Sequence, residues 1–170
     1  RRHPAVDGLP AHLRRHSFDD IYDIADDFAA VYRAIAGEVL RLGADGDVVY
    51  AVPGHPYVGE ATVAAITRGA AEAGIPVRVV AGLSFVEPTL TALGIAALDG
   101  LQLFDAIELA GYLYPPVNSD VPLLLGQVYS RMLAGEVKAA LMSIYPAEQP
   151  VVLVHAAGEA DEVVERLALH

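Results

Sequence analysis

The sequence predicts an α/β fold made of two lobes, and three observations support this prediction. Short β-rich runs alternate with segments of helical periodicity along the chain. The first two β-rich runs flank one helix, which is the order of a βαβ unit with parallel strands. Of the 170 residues, 54% are hydrophobic and 19% are charged, a composition that buries a core without a membrane-length apolar run. We expect lobes of residues 1–81 and 82–170.

The first lobe is predicted to contain a long helix followed by strand, helix and strand. Residues 17–43 carry apolar side chains at spacings of three and four, with Ser17 as the candidate helix N-cap. Residues 47–53, DVVYAVP, are typical of a buried strand. Residues 60–74 then predict a helix that ends at a glycine, and residues 75–84 predict a second, parallel strand.

The second lobe is predicted to have a mixed sheet. Its elements are, in order, a short helix over 84–94, a strand over 101–107, a Pro-rich connection over 111–122, a strand over 123–129, a helix over 132–146 and a strand over 150–158. The whole chain is therefore expected to hold five strands and about five helices. Tyr112 and Tyr114 in the connection fit a substrate lid or a partner surface as well as they fit an ordered loop.

Two small-residue loops follow the first two predicted strands. Pro53-Gly54-His55-Pro56 ends the first, and Ala81-Gly82-Leu83-Ser84 ends the second. In a parallel sheet, loops at the carboxyl ends of neighbouring strands line a common crevice, and glycine lets the backbone approach a ligand. Neither loop has the glycine and lysine pattern of a nucleotide-phosphate loop. These loops predict a ligand held by backbone groups, although they also fit ordinary chain turns.

The amino-acid sequences of these segments and of those that follow resemble a known enzyme family. VVYAVPGHPYVGEATV, GIPVRVVAGLSFVEPTLTALG, DGLQLFDA, PLLLGQVYSRMLAGEVKAAL and YPAEQPVVLVHAAG occur in this order along the chain. Together they resemble the tetrapyrrole (corrin/porphyrin) methylases. The likeness is greatest to the methylase-like domain of bacterial YabN-like proteins, in which that domain is fused to a MazG-type nucleoside triphosphate pyrophosphohydrolase.

The resemblance implies a two-lobed enzyme, usually a homodimer, that transfers a methyl group from S-adenosylmethionine to an acceptor that the sequence does not identify. It also implies that the first strand of the family fold and its last strands lie outside this sequence, which would make the chain a fragment. Family positions map cofactor binding onto Gly54, His55, Pro56, Gly82, Leu83, Ser84, Phe85, Tyr129, Ala157 and Gly158. No catalytic residue and no metal ligand is assigned.

The chain departs from the family pattern at three positions in or directly after the two small-residue loops. His55 stands where most family members have Asp, Ala81 replaces Pro, and Phe85 is far larger than the small residue expected. We expect His55 to be hydrogen-bonded locally and Phe85 to narrow the pocket. These departures favour an alternative function, a non-catalytic dimerisation or regulatory module of a nucleotide pyrophosphohydrolase.

A second alternative is that the chain is itself the pyrophosphohydrolase. That chemistry needs acidic side chains from two helices to hold Mg²⁺. The candidates are Asp19, Asp20, Asp23, Asp26 and Asp27, together with Glu159, Asp161, Glu162 and Glu165. Acids in a first helical turn also stabilise the helix dipole, and the second group flanks a strand end, so we expect both groups to be structural.

Charge and composition narrow the partners. The net charge of −11 opposes binding to nucleic-acid phosphates and to anionic membranes. The sequence has no cysteine, which excludes disulfides and fits a reducing compartment. We therefore expect a cytoplasmic protein with S-adenosylmethionine as cofactor and no nucleic-acid or membrane partner.

Overall fold

The computed structural model describes residue 6, residues 8–24 and residues 28–170. The chain divides into two compact units, Arg1–Gly82 and Leu83–His170, called unit 1 and unit 2 below. Helices and small parallel and antiparallel sheets together confirm the predicted α/β class.

Unit 1 is helical in its described part. Its helices are α1 (Asp19–Ile24), α2 (Phe28–Asp45) and α3 (Ala61–Ala73). The predicted spacing is confirmed in α2, because Val31, Ile35 and Val39 are buried and pack with Ile66 of α3. Helix α3 ends at Gly74, which has φ of 69° and donates its N–H to carbonyls of the last helical turn, as predicted.

The start of α1 agrees with the capping prediction. The Ser17 Oγ accepts a hydrogen bond from the N–H of Asp19 at 3.3 Å and donates one to the Asp19 carboxylate at 2.8 Å. This second bond lowers the pKa of Asp19 below its ordinary value. Asp26 and Asp27, two of the acids considered as metal ligands, lie outside the described residues.

The two strands predicted for unit 1 are not hydrogen-bonded strands. Residues 47–53 and 75–84 have neither helix nor strand hydrogen bonding among the described residues. Their valines are largely exposed, Val49 at 94% and Val80 at 65%. The prediction of a parallel βαβ pair was wrong in this respect, because β-propensity reports how a side chain fits a pleated surface, whereas a strand also needs a neighbour to pair its backbone.

Unit 2 contains all four strands that the described residues form. Its elements are α4 (Val86–Leu93), a 3₁₀ turn (Ala97–Asp99), β1 (Gln102–Asp105), α5 (Ala106–Ala110), β2 (Leu123–Gly126), α6 (Arg131–Leu141), β3 (Pro150–His155) and β4 (Val163–Ala168). Strands β1 and β2 pair in parallel, with Asp105 opposite Gly126. Strands β3 and β4 pair antiparallel. The lobe is mixed, as predicted, but it has two separate pairs of strands.

The core of unit 2 lies between α5, α6 and the chain terminus. Its buried members are Ala106, Leu109, Leu133, Val137, Leu141 and Leu169. The predictions missed α5 and β4, and the helix predicted over 132–146 ends at Leu141. Helix α5 has only five residues, too few for a periodic pattern, and the residues of β4 are mostly exposed, so neither has a strong hydrophobic signal.

Candidate functional site

The loop after residue 53 is a closed turn in unit 1. Gly54 has φ of 79°, a left-handed conformation that favours glycine. The carbonyl of His55 accepts the N–H of Val58 at 2.9 Å, and its ring Nδ1 accepts the N–H of Tyr57 at 3.1 Å. The expected local hydrogen bond of His55 is thus confirmed. This bond fixes the orientation of the imidazole and leaves Nε2 as its other polar atom.

The second loop meets the first in unit 1 through backbone atoms. A Cβ atom placed on Gly82 would lie 2.5 Å from the carbonyl oxygen of Gly54 and 3.9 Å from the Cα of His55. Any side chain at position 82 therefore requires the backbone to shift. The structure brings Gly54, His55 and Gly82 together, and the lack of a side chain at position 82 permits that contact.

A partly buried polar pair joins Tyr50 to the start of α3 in unit 1. The hydroxyls of Tyr50 and Thr62 are 3.0 Å apart, and Thr62 is buried. Burial raises the pKa of the Tyr50 phenol and of the Glu60 carboxyl above their ordinary values. Sequence reasoning did not select these residues. The available signal was a tyrosine inside an apolar run and an acid placed directly before a helix.

The backbone and side chain of Ser84 form hydrogen bonds at the start of α4 in unit 2. Its N–H and Oγ both donate to the Glu87 carboxylate, at 2.9 and 2.6 Å, and its Oγ accepts the N–H of Val86 at 3.0 Å. The Ser84 hydroxyl and the Glu87 carboxylate thus each accept an N–H at the start of α4, an arrangement related to a capping box. The buried hydroxyl of Ser84 therefore shapes the loop, while the neighbouring Leu83 side chain is exposed.

Phe85 lies against the end of β2. A Cβ atom placed on Gly126 would be 2.6 Å from Cζ of the Phe85 ring, and the ring is 38% exposed. Unit 2 thus places one candidate cofactor residue, Phe85, over the end of the strand that leads to another, Tyr129. The ring fills space that a small side chain would leave open.

The loop after β2 has a strained backbone. Gln127 has φ of 63°, and its side-chain amide donates to the Asp105 carboxylate at 2.8 Å. The carbonyl of Gln127 accepts the N–H of Tyr129 at 2.9 Å. The Tyr129 side chain is 64% exposed. Left-handed non-glycine residues cost free energy and cluster at functional sites, and sequence reasoning had no signal for the Asp105 contact.

The loop after β3 also has a strained backbone. Ala156 has φ of 49° and Gly158 has φ of 82°. The N–H of Gly158 donates to the Glu162 carboxylate at 2.7 Å, and a Cβ atom on Gly158 would lie 3.1 Å from Cβ of Pro88. Ala157, which stands between Ala156 and Gly158 in the sequence, is half-buried. Gln127 and Ala156 are the two non-glycine residues with positive φ in the described chain.

The acidic side chains do not assemble into a metal centre within the described residues. No group of three or more His, Cys, Asp or Glu side chains there is arranged to hold a metal ion. Glu162, one of the acids considered above, is hydrogen-bonded to the loop after β3. In the same part of the chain, no helix is long and apolar enough to cross a membrane.

Comparison with known proteins gives the family. The sequence model of the Tetrapyrrole (Corrin/Porphyrin) Methylases matches residues 1–170. The chain belongs to the tetrapyrrole methylases. It is also similar to the "Uncharacterized protein YabN" of Bacillus subtilis (strain 168), with 38% identity over 168 residues, which cover 98% of the chain and 34% of YabN. The chain therefore spans about a third of the length of that relative.

Membership indicates S-adenosylmethionine-dependent methyl transfer at the level of the family. Tetrapyrrole methylases generally use this cofactor, and the backbone of unit 1 fits a ligand held without charged side chains. Gly54 and Gly82 are exposed, and neither carries a side chain that would cover this turn. In unit 2, the loops after β2 and β3 also contain left-handed residues, Gln127 and Ala156.

Proposed function

We propose that this chain binds S-adenosylmethionine and transfers its methyl group to an acceptor. The observation that carries the proposal is the backbone contact between Gly82 and Gly54, in a chain that matches the tetrapyrrole methylases over residues 1–170. Two loops that sequence reasoning linked to one ligand are in contact within unit 1. This contact needs glycine at position 82, because any side chain there would meet the Gly54 carbonyl.

Ten residues are proposed to hold the cofactor. They are Gly54, His55, Pro56 and Gly82 of unit 1, and Leu83, Ser84, Phe85, Tyr129, Ala157 and Gly158 of unit 2. When bound, S-adenosylmethionine supplies a methyl group on a positively charged sulfur that leaves as a neutral thioether. Because such a displacement depends mainly on alignment, the task of these residues is to bind and orient, and no general base is assigned.

Calorimetric titration tests the proposal. S-adenosylmethionine and S-adenosylhomocysteine are titrated separately into the chain and into a form extended at both ends. We expect micromolar binding, about −8 kcal/mol. Absence of binding to both forms would refute the function.

Variants locate the site. Tyr129→Ala removes an exposed ring and is expected to weaken binding without unfolding the chain. Gly54→Trp places bulk in the turn and is expected to abolish binding, with thermal unfolding measured to show that the variant is folded. Leu98→Ala, at a fully exposed side chain of the same unit as Tyr129, is the control. Unchanged affinity in both Tyr129→Ala and Gly54→Trp would remove the assigned site.

We also propose that the chain is one domain of a longer cytoplasmic, homodimeric protein that carries a MazG-type nucleoside triphosphate pyrophosphohydrolase. The share of YabN that the chain spans, 34%, leaves room for further domains in such a protein. Hydrolase activity would then lie in the fused domain. Light scattering of the chain in solution gives its mass, and a monomer at all concentrations would contradict the dimer.

A second candidate function is a non-catalytic module that regulates the fused hydrolase. The observation that favours it is the Phe85 ring against Gly126, in space that a small residue would leave open. Such a module acts on its neighbour only if the cofactor binds two states of the protein with different affinity. Hydrolase rates of the longer protein with and without S-adenosylmethionine test it, and equal rates at saturating cofactor would refute it.

A further inference from the structure

Asp105 divides its carboxylate between two different elements. Its Oδ1 accepts the N–H of Ile107 at 2.7 Å and so caps α5, while its Oδ2 accepts the side-chain amide of Gln127 at 2.8 Å. Asp105 lies opposite Gly126 in the parallel register of β1 and β2. One side chain thus ties the end of β1 to the residue that follows β2.

The residue that is tied has an unfavourable backbone conformation. Gln127 has φ of 63°, which side-chain-bearing residues adopt only where the surroundings hold them. The bond to Asp105 is a hydrogen bond to a charged acceptor, the stronger kind, and it acts directly on the strained residue. The Gln127 carbonyl then closes a tight turn with the N–H of Tyr129.

The turn determines which groups are exposed at this end of the strand pair. Gly126 is buried under Phe85, whereas Val128 and Tyr129 have exposed side chains. Releasing Gln127 to an ordinary negative φ would turn the following peptide groups and the tyrosine in another direction. The left-handed conformation of Gln127 therefore affects the direction in which the exposed Tyr129 side chain lies.

We infer that Asp105 is a positioning residue, whose carboxylate holds Gln127 in the left-handed conformation and so orients the 127–129 turn toward the cofactor. This role rests on the proposed function. Asp105 itself is not assigned a contact with the cofactor. Its effect passes through Gln127 and Tyr129.

Three sets of variants separate positioning from stability. Asp105→Ser keeps an N-cap acceptor for α5 but is too short to reach Gln127. Asp105→Asn combined with Gln127→Glu restores the link with donor and acceptor exchanged, because the introduced amide donates to the introduced carboxylate. Gln127→Gly adopts positive φ without the link. Asp120→Ser, which removes an exposed carboxylate elsewhere in unit 2, is the control.

Two readouts are measured on each variant of the chain. Nuclear magnetic resonance of the ligand-free protein reports the φ of residue 127 through the cross-peak between its own amide and α protons. Calorimetry reports the affinity for S-adenosylhomocysteine. For Asp105→Ser we expect loss of the left-handed signal and roughly tenfold or greater weakening of binding, the effect of one lost hydrogen bond to a charged group. The exchanged pair is expected to recover both, and Gln127→Gly to remain folded with weakened binding.

The possible failures are distinct. A left-handed signal that persists in Asp105→Ser overturns the positioning role, whatever the affinity. A lost signal with unchanged affinity overturns it as well. If the parent chain and its extended form bind no S-adenosylhomocysteine, the proposed function fails and this cofactor role fails with it, whereas normal parent binding with unaffected variants refutes the positioning role alone.

Discussion

The Phe85 ring and the α-carbon of Gly126 are in direct contact, so that a single added methyl group at position 126 would lie 2.6 Å from the ring. The nearest atoms belong to the far end of the Phe85 side chain. Because the contact joins only these two residues, a double-mutant cycle can measure its effect on the free energy of unfolding.

Gly126→Ala is expected to destabilise unit 2 by about 1–3 kcal/mol, the usual cost of overpacking. In a Phe85→Ala background the same substitution should cost little, because the clashing ring is gone. Chemical denaturation of the four proteins gives the coupling free energy. An equal cost of Gly126→Ala in both backgrounds would mean that the ring is not the obstacle.

The Gly82 and Gly54 contact predicts a larger effect, since backbone stands against backbone. Gly82→Ala should lower the unfolding free energy by about 2 kcal/mol or more and weaken S-adenosylmethionine binding. Gly46→Ala is the matched control in the same unit, because a Cβ atom there meets nothing within 4 Å. If the two alanines behave alike in thermal unfolding, the loops do not touch in solution.

Two helix glycines of unit 1 should respond differently to substitution by alanine. A Cβ atom on Gly37 in α2 meets nothing within 4 Å, so Gly37→Ala should stabilise the chain by about 0.5–1 kcal/mol through helix propensity. On Gly69 in α3 it would lie 2.5 Å from Cδ1 of Leu40, so Gly69→Ala should lose that gain or destabilise. Adding Leu40→Ala should remove the penalty of the methyl group. Urea titrations measure all three changes.

The raised pKa of Glu60 predicts a pH dependence of stability. Burial keeps this carboxyl protonated to higher pH in the folded chain than in the unfolded chain. The folded state then binds more protons within that window, so the Glu60 contribution to stability falls as pH rises through it. Glu60→Gln removes the effect and should become more stable relative to the parent chain as pH rises above the ordinary glutamate pKa of about 4.3. A difference that stays constant with pH would contradict the burial of this group.

Much of the helical structure was predictable because its signals are local. Gly74 and Gly94 end α3 and α4 in the left-handed conformation, where the sequence placed the stops. The lack of hydrogen-bonded strands in the described part of unit 1 was not predictable in this way. Val49 and Val80 have the side chains of strand residues, but pairing depends on a partner distant in sequence.

In the candidate site, too, local features were predictable from the sequence and contacts between distant residues were not. Turn residues such as Gly54 and the local hydrogen bond of His55 follow from sequence. The contact of Phe85 with Gly126 and that of Asp105 with Gln127 join residues 41 and 22 positions apart, 126 − 85 and 127 − 105. Nothing within either neighbourhood specifies such a partner. Asp105 comes next to Gln127 because the register of β1 and β2 sets Asp105 opposite Gly126, and Phe85 meets Gly126 from the start of α4.

The exposed valines of residues 47–53 and 75–84 determine how the chain behaves at high concentration. Segments rich in β-branched residues without ladder hydrogen bonds are templates for association between molecules. At neutral pH the net charge of −11 keeps molecules apart. Near the isoelectric point of about 4.8 that repulsion vanishes. We therefore expect the colloidal stability of the chain to be electrostatic, and acid or high salt to favour association between molecules.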